Sequence, residues 1–472
     1  MSGPYVAPPG SIPTLDVPDL AGVAHLHLLG IGGSGMRNLA KLLAARGARV
    51  SGCDLKESNA VRGLRAQGVD VAVGHDPSHV TGADALVLSS AIAPTNREVA
   101  AARAAGLPLW TRAQALAAAT VGRRTVAVTG THGKTTTTSM IALVLERAGL
   151  DPSYVIGGEP NETGGGSRAG AGDLFVVEGD ESDGSFLLLR PEIGIVTNVE
   201  VDHVDFYTGG RAEIEAAFAA FGARCERLVV CADDEGAMRA TADCARITYG
   251  VHPAADVRLE TTELGPEGAR GRLTVDGEPF DLAIGVDGHH NLLNAAATVA
   301  VSALVGVAPT VALEALAAFT GVHRRFERRG HARGADFFDD YGHVPTELAV
   351  TLGTARRTGA RRVIAVFQPH RYSRTQALWR ELGASLVEAD LVLVTDVYGA
   401  DQDPIPGVTG KLVVRGIAEA RPDRRVVYLP HRTDVVRFLD REVREGDLVV
   451  TMGCGDVWTL ADAAVATIGG TA

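Results

Sequence analysis

The sequence predicts three α/β domains in series, each a largely parallel sheet with flanking helices. Three observations carry that expectation. A chain of 472 residues is too long for one core. Short apolar runs alternate with helix-period segments throughout, the pattern of parallel sheets covered on both faces. In each of three blocks, a strand-like run feeds a glycine turn: at Gly30, at Gly130 and at Gly453.

Residues 1–22 carry Pro4, Pro8, Pro9, Pro13 and Pro18 with no basic start and no long apolar run, so a flexible tail is expected rather than a signal peptide. Residues 23–121 open with the strand His25–Leu29, turn through glycines and enter a helix near Met36. Further strands are expected at Ala48–Gly52, Val69–Val73 and Ala85–Leu88. Residues 122–321 follow the alanine-rich helix Arg112–Ala119. They hold strands at Thr125–Val128, Leu174–Val177, Ile193–Val196 and Leu228–Cys231, then a turn-rich, alternating stretch at Val257–Val286. That stretch reads as an antiparallel insertion, and a helix over Asn291–Val305 follows it. Gly164 to Ser167 reads as a flexible loop. Residues 322–472 carry strands at Val363–Phe367, Leu391–Thr395, Val426–Leu429 and Leu448–Met452.

Composition excludes several classes. A formal net charge of −12 argues against a nucleic-acid binder, while leaving room for a small anion in a locally positive cleft. The five cysteines are odd in number and include no C-x-x-C pair, so reduced thiols are expected, and neither a disulfide framework nor a structural zinc site is. No run approaches ~18–20 apolar residues, so no membrane span is expected, and the cytoplasm is the expected location.

Gly30-Ile31-Gly32-Gly33-Ser34-Gly35 fits G-x-G-x-x-G between a strand and a helix, and Asp54 stands about where a ribose-binding acid belongs. The glycines report a diphosphate: of a nicotinamide or flavin dinucleotide, or of a nucleotide sugar. A tight turn without a ligand is the plain alternative. The first domain is accordingly Rossmann-like, as is the third.

Gly130-Thr131-His132-Gly133-Lys134-Thr135-Thr136 is more specific and makes the second domain P-loop-type. Its glycines are closer together than in G-x-x-x-x-G-K-[ST], yet the physical parts are present. Backbone N–H groups can cradle phosphates, Lys134 can reach the β and γ oxygens, and Thr135 can hold magnesium. Only four of the 45 basic residues are lysine, at positions 41, 56, 134 and 411. A lysine retained in so arginine-rich a chain points to a task that arginine cannot do.

Glu178-Gly179-Asp180-Glu181-Ser182-Asp183 places carboxylates at a strand's C-terminal end, where a metal suits them, with Glu178 the chosen ligand. A solvated acidic turn is the alternative. His203, in Asn198-Val199-Glu200-Val201-Asp202-His203, is a candidate for a second cation or a structural histidine.

These motifs, followed by G-H-H-N-L-L-N-A-A-A, H-R-R-F, D-D-Y-G-H-V-P-T-E and Q-P-H-R-Y-S-R-T, occur in the order seen in the Mur ligases. The chain resembles that family from Ala24 to its end, with the last two segments most specific to its alanine-adding branch. The resemblance implies an ATP-dependent amide-forming ligase that joins L-alanine to UDP-N-acetylmuramate through an acyl phosphate, in peptidoglycan precursor synthesis. Cell-wall biogenesis, cell shape and cell division would depend on it.

It also implies roles. Gly30, Gly32, Gly33, Ser34, Gly35 and Asp54 would bind the UDP-sugar. Gly130, Thr131, His132, Gly133, Lys134, Thr135 and Thr136 would bind ATP, with His290, Asn291 and Asn294 at the nucleotide and Arg325 and Asp340 on its phosphates and ribose. Thr135 and Glu178 would hold a first magnesium and His203 a second, with manganese as an alternative ion. Tyr341, His343, Arg371 and Arg374 would form the amino-acid pocket. Two arginines three apart suit a carboxylate, although a surface turn would look the same. Lys134, His203, His343, Arg371 and Arg374 are the expected catalytic set. A monomer or weak homodimer is expected, with no nucleic acid and no membrane among its partners.

Several sibling ligases use a carbamoylated lysine at the second cation. This chain has no lysine between Lys134 and Lys411, and the corresponding position falls near Phe218. Three rival readings stay open on the residues alone. A dinucleotide oxidoreductase would leave the Lys134 loop unexplained. An NTP-hydrolysing switch would need neither sugar nor amino acid. A recycling ligase would attach an intact tripeptide, although Ser182-Asp183-Gly184-Ser185-Phe186 and the Tyr341 region match the alanine branch better.

Overall fold

The computed structural model describes residues 16–470, apart from positions 164, 204, 205 and 401. Most of the expected N-terminal tail, and Gly164 of the expected glycine loop, lie outside the described residues. The architecture is three-domain α/β, built on three mostly parallel sheets with flanking helices.

The first sheet has five parallel strands in the order Asp70–Val73, Arg49–Asp54, His25–Leu29, Ala85–Leu88, Leu109–Thr111. The central sheet has ten strands. Its parallel middle pairs Arg124–Thr129 with Leu174–Glu178 on one side and Ile193–Val196 on the other. At one edge lie Val257–Gly265, Gly268–Val275 and Glu278–Ile284. Links of two residues force these three to run antiparallel, as a parallel pair needs a long crossover. The third sheet has six strands in the order Glu327–Ala332, Ala335–Asp340, Asp447–Met452, Arg362–Phe367, Leu391–Val394, Arg425–Tyr428, with only the first pair antiparallel.

The chain forms two compact units. One runs to Thr262 and adds Arg270–Gly285 and His289–Thr320; the other comprises Glu263–Ala269, Val286–Gly288 and everything from Gly321. The first two sheets thus share a unit. Met36 and Leu39, on the helix after the first glycine turn, belong to one buried cluster with Val155 and Phe175 of the central sheet.

Several boundaries differ from expectation. The strand at 174 includes Glu178, so that carboxylate leaves from the strand itself. The helix expected from Asn291 begins at His289, where the His289 ring meets the Thr261 hydroxyl at 2.7 Å. Glu327–Ala332 and Ala335–Asp340 were not expected as strands. The five cysteines are free thiols, as expected. Among the described residues, no helix is long and apolar enough to cross a membrane.

Candidate active site

Two glycine turns lie in the first unit. In the first, Gly30 has φ +74°, and its N–H and that of Ile31 donate to the Cys53 carbonyl at 2.9 and 3.1 Å. Asp54 Oδ2 accepts the Gly32 N–H at 2.9 Å, and a Cβ on Gly32 would lie 2.8 Å from that oxygen. Asp54 therefore braces the turn from within. The helix Ser34–Ala45 starts behind Gly33 with no side-chain cap. Its first N–H groups are of the kind that can receive an anion.

The second turn links Arg124–Thr129 to the helix Lys134–Arg147. Gly130 (φ +134°) and Gly133 (φ +81°) hold left-handed conformations that a side chain resists. A Cβ on Gly133 would stand 2.8 Å from Asn294 Oδ1, so the helix His289–Leu304 presses directly on the turn. Asn198, two residues beyond the strand Ile193–Val196, supports it from the other side. Its Oδ1 accepts the His132 N–H at 2.7 Å, and its own carbonyl accepts the Thr131 N–H at 3.0 Å. Gly133 caps the helix without a side-chain bond, so here too the first N–H groups could receive an anion.

Lys134 folds back over the turn. Its Nζ donates to the Gly130 carbonyl at 2.5 Å and the Thr131 carbonyl at 3.2 Å, and pairs with Glu181 at 2.8 Å. Burial alone would depress the ammonium; Glu181 and then Glu178 outweigh it and raise its pKa, so Lys134 stays charged. Thr135 Oγ1 donates to Glu178 Oε1 at 3.1 Å, while the other Glu178 oxygen accepts the Gly157 N–H at 2.9 Å. His203 Nε2 lies 3.7 Å from Glu181 and 3.5 Å from Asp202.

Glu181 is therefore the hub that links Lys134 to His203. Burial raises its carboxyl to about 7, as Asp180 adds to the penalty and Lys134 only partly offsets it. The sign for stability follows. The folded state holds a proton that the unfolded chain, with an ordinary value of 4.5, releases, so this group lowers stability as pH rises toward 7. Glu181→Gln should flatten the melting-temperature profile between about pH 5 and pH 7 in the unliganded protein. A variant profile that keeps the full wild-type slope would refute this assignment.

The first unit brings together Gly130–Thr136, Glu178, His203 and Asn294. Asn294 is buried and within 3.4 Å of Asn291, whereas His290 is exposed on the same helix. Arg112 links the first turn to the acidic segment after Glu178: its side chain would crowd a Cβ on Gly35, and its guanidinium lies 3.5 Å from Asp180.

The second unit holds the remaining residues. Asp340, at the end of Ala335–Asp340, is buried and accepts from the Phe326 N–H, the Gly342 N–H and the Thr351 hydroxyl at 2.8, 2.8 and 2.9 Å. Burial raises its carboxyl. Arg325 lies over the Tyr341 ring at 5.2 Å. A row of rings runs Tyr341, His343, His370, Tyr398, each neighbour 5.8 Å away. Arg374 is buried beside it, 3.5 Å from His370 Nδ1. Burial, helped by His343, Arg374 and Arg371, lowers His370 to about 3, so that ring is neutral. Arg371 starts the helix Tyr372–Leu386 at φ +65°, its N–H held by the Tyr398 carbonyl at 2.9 Å. That left-handed conformation is uncommon outside glycine and is suited to a site that must aim a side chain.

Three family models fit in series: "Mur ligase family, catalytic domain" over residues 25–124, "Mur ligase middle domain" over 128–302, and "Mur ligase, glutamate ligase domain" over 324–455. A UDP-N-acetylmuramate–L-alanine ligase of Thermobifida fusca (strain YX) is 45% identical over 466 residues, covering 95% of this chain and 97% of the relative. The chain belongs to the Mur ligase family. Among solved structures, a UDP-N-acetylmuramate–alanine ligase from Thermotoga maritima matches with TM-score 0.81 and 28% identity, covering 95% of this chain and 100% of that one. A murein peptide ligase from Psychrobacter arcticus matches with TM-score 0.72 and 25% identity, covering 95% and 99%.

In this Mur ligase the position marked by Phe218 offers no ligand to a cation. Phe218 is fully buried in the helix Arg211–Gly222, its ring 5.2 Å from Phe186, which also stacks on Phe221 at 5.4 Å. Four residues of the two candidate clusters, Glu181 and Asn198 in the first unit and His370 and Tyr398 in the second, are not singled out by the sequence. Glu181, Asn198 and His370 stand inside the motifs without a role. Tyr398 lies far from the motifs along the chain. A polar residue just past a strand end was the available signal for Asn198.

Proposed function

We propose that this Mur ligase joins L-alanine to the lactyl carboxylate of UDP-N-acetylmuramate at the expense of ATP, in the cytoplasm, as a step of peptidoglycan precursor synthesis. The observation that carries the reading is the Lys134 turn: a charged, buried ammonium at a helix N-terminus, ringed by Glu181, Glu178 and Thr135. Near full-length likeness to relatives named for this reaction supports it.

In the proposed reaction the sugar carboxylate attacks the γ-phosphorus and ADP leaves, giving an acyl phosphate. The alanine amine then attacks the acyl carbon, and the tetrahedral adduct collapses with loss of phosphate. The first step brings two anions together. Lys134 and the helix N-terminus behind Gly133 stabilise charge on the transferring group. Arg371 and Arg374 would hold the amino-acid carboxylate.

The residues present fit magnesium. Thr135 Oγ1 and Glu178 Oε1 are hard oxygen donors 3.1 Å apart, close to the spacing of adjacent ligands on an octahedral ion with bonds of about 2.1 Å. Thr135 and Glu178 would hold one ion and His203 a second; when bound, the ions neutralise phosphate charge.

Phosphate release measured with each component omitted in turn is the test. Release should require both UDP-N-acetylmuramate and amino acid. Alanine should exceed glycine in kcat/KM by roughly tenfold or more, the scale one methyl group allows. Faster reaction with an intact tripeptide would replace this reading with the recycling ligase, and amino-acid-independent turnover would replace it with an NTP switch.

A further inference from the structure

Beneath the first sheet, and joined to the first glycine turn only through the Cys53 backbone, lies a buried cluster that the proposed reaction does not use. The alternation of the strands puts His25, His27, Ser51 and Cys53 on one face, and the helix Arg97–Ala104 covers them with Glu98. Glu98 is completely buried, Cys53 likewise, and His27 is 2% exposed. Four side chains, His27, Cys53, His79 and Glu98, bring ligand atoms within 4.8 Å of one another.

The hydrogen bonds of this cluster are one positive charge short. From the Gly82 carbonyl the run is His25 Nδ1 at 2.8 Å, His25 Nε2 to Ser51 Oγ at 2.7 Å, Ser51 Oγ to His27 Nδ1 at 2.8 Å, and His27 Nε2 to Glu98 Oε2 at 3.3 Å. Both ends of the run, a carbonyl and a carboxylate, only accept. Two neutral imidazoles and one hydroxyl supply three hydrogens for these four contacts. One contact must therefore hold an added cation. With the Gly82 carbonyl fixing the order of donors, the unfilled contact is His27 Nε2 with Glu98, where Cys53 Sγ (3.1 Å) and His79 Nδ1 (2.8 Å) also converge on the same carboxylate.

We infer that His27, Cys53, His79 and Glu98 form a tetrahedral site for a divalent cation of the zinc class. Sulfur, two imidazole nitrogens and a carboxylate oxygen are the donors such an ion takes. His27 Nε2 and Cys53 Sγ stand 3.3 and 3.1 Å from Glu98 Oε2, near the roughly 3.3–3.8 Å edges of a tetrahedron with bonds of about 2.0–2.3 Å, while His79 Nδ1 meets the other oxygen, Oε1, at 2.8 Å and would move outward on binding. The outer support is already built: Ser51 holds the other nitrogen of His27, as ligating histidines require. Binding would release the Cys53 thiol proton and the extra proton of the relay, while His79 carries its ring hydrogen on Nε2. Two protons leave for each divalent ion, so the buried charge does not change. The ion would fasten the strand end at Cys53, whose carbonyl holds the first glycine turn, to the helix carrying Glu98.

The test uses the full chain, purified without chelator from zinc-supplemented culture. Elemental analysis should find about one zinc per chain, and Cys53→Ser with His27→Gln should abolish it. Where that variant does not fold, wild type stripped by chelator serves instead. Adding zinc should raise its melting temperature by roughly 3 °C or more, and cobalt should produce thiolate charge-transfer and tetrahedral d–d absorption. Metal-free protein that neither zinc stabilises nor cobalt colours would show that a proton alone completes the relay, and would overturn the proposal.

Discussion

Lys134→Arg is expected to lower the rate of ATP-dependent ligation by about 10²–10³-fold while the protein still folds. The two side chains carry the same charge, so the loss is one of shape. The Lys134 ammonium is a compact point within 2.5 Å of the Gly130 carbonyl, 3.2 Å of the Thr131 carbonyl and 2.8 Å of Glu181, on a side chain only 16% exposed. A planar guanidinium is larger and fixes its donors in a fork. It cannot meet two turn carbonyls and a buried carboxylate from the same point and still present a donor to the transferring phosphoryl group. Lys134→Ala, which also removes the charge, should be at least as slow. Steady-state phosphate release beside a thermal melt separates the chemistry from folding. Arginine turnover within a few-fold of wild type, on an intact fold, would mean that charge alone matters and that the turn accommodates its geometry.

The second large effect falls on stability. Gly130→Ala should destabilise the first unit by about 3 kcal/mol or more, and should abolish nucleotide binding in whatever remains folded. Two causes add. The backbone there sits at φ +134°, where an L side chain is strained by about 1–3 kcal/mol. A Cβ would also lie 2.0 Å from Thr197 Oγ1 and 3.0 Å from the Asn198 backbone, and neither can yield. Thr197 Oγ1 is held by the His132 carbonyl at 2.6 Å, and Asn198 carries the turn's own hydrogen bonds. Gly63→Ala, on an open helix surface with nothing within 4 Å, is the matched control and should change stability little. Equal denaturant midpoints for the two variants would contradict the argument.

What was legible in the sequence is what the chain does locally. The Gly130–Lys134 turn could be read because strand, glycine, lysine and helix follow one another without a gap. Roles that arise from distant parts of the chain meeting were not legible. Glu181 meets Lys134 across 47 residues, and nothing in Glu-Ser-Asp distinguishes it from its acidic neighbours. Glu327–Ala332 escaped notice as a strand because Glu-Arg-Arg-Gly-His-Ala has no apolar alternation. It lies at a sheet edge and pairs antiparallel, so only Ala332 is buried. The run His25-Leu-His-Leu-Leu was read as a strand, but its histidines acquire meaning only once Ser51 and Glu98 are beside them.

The packed rings of Phe186, Phe218 and Phe221 have a physiological corollary. A lysine carbamate forms by capture of dissolved carbon dioxide on an uncharged amine, so a ligase that relies on one is tied to bicarbonate supply and to ambient acidity. An aromatic core in that place severs the tie. With no lysine between Lys134 and Lys411 to carry such a carbamate, ligation by this chain is expected to run at the same rate with and without added bicarbonate.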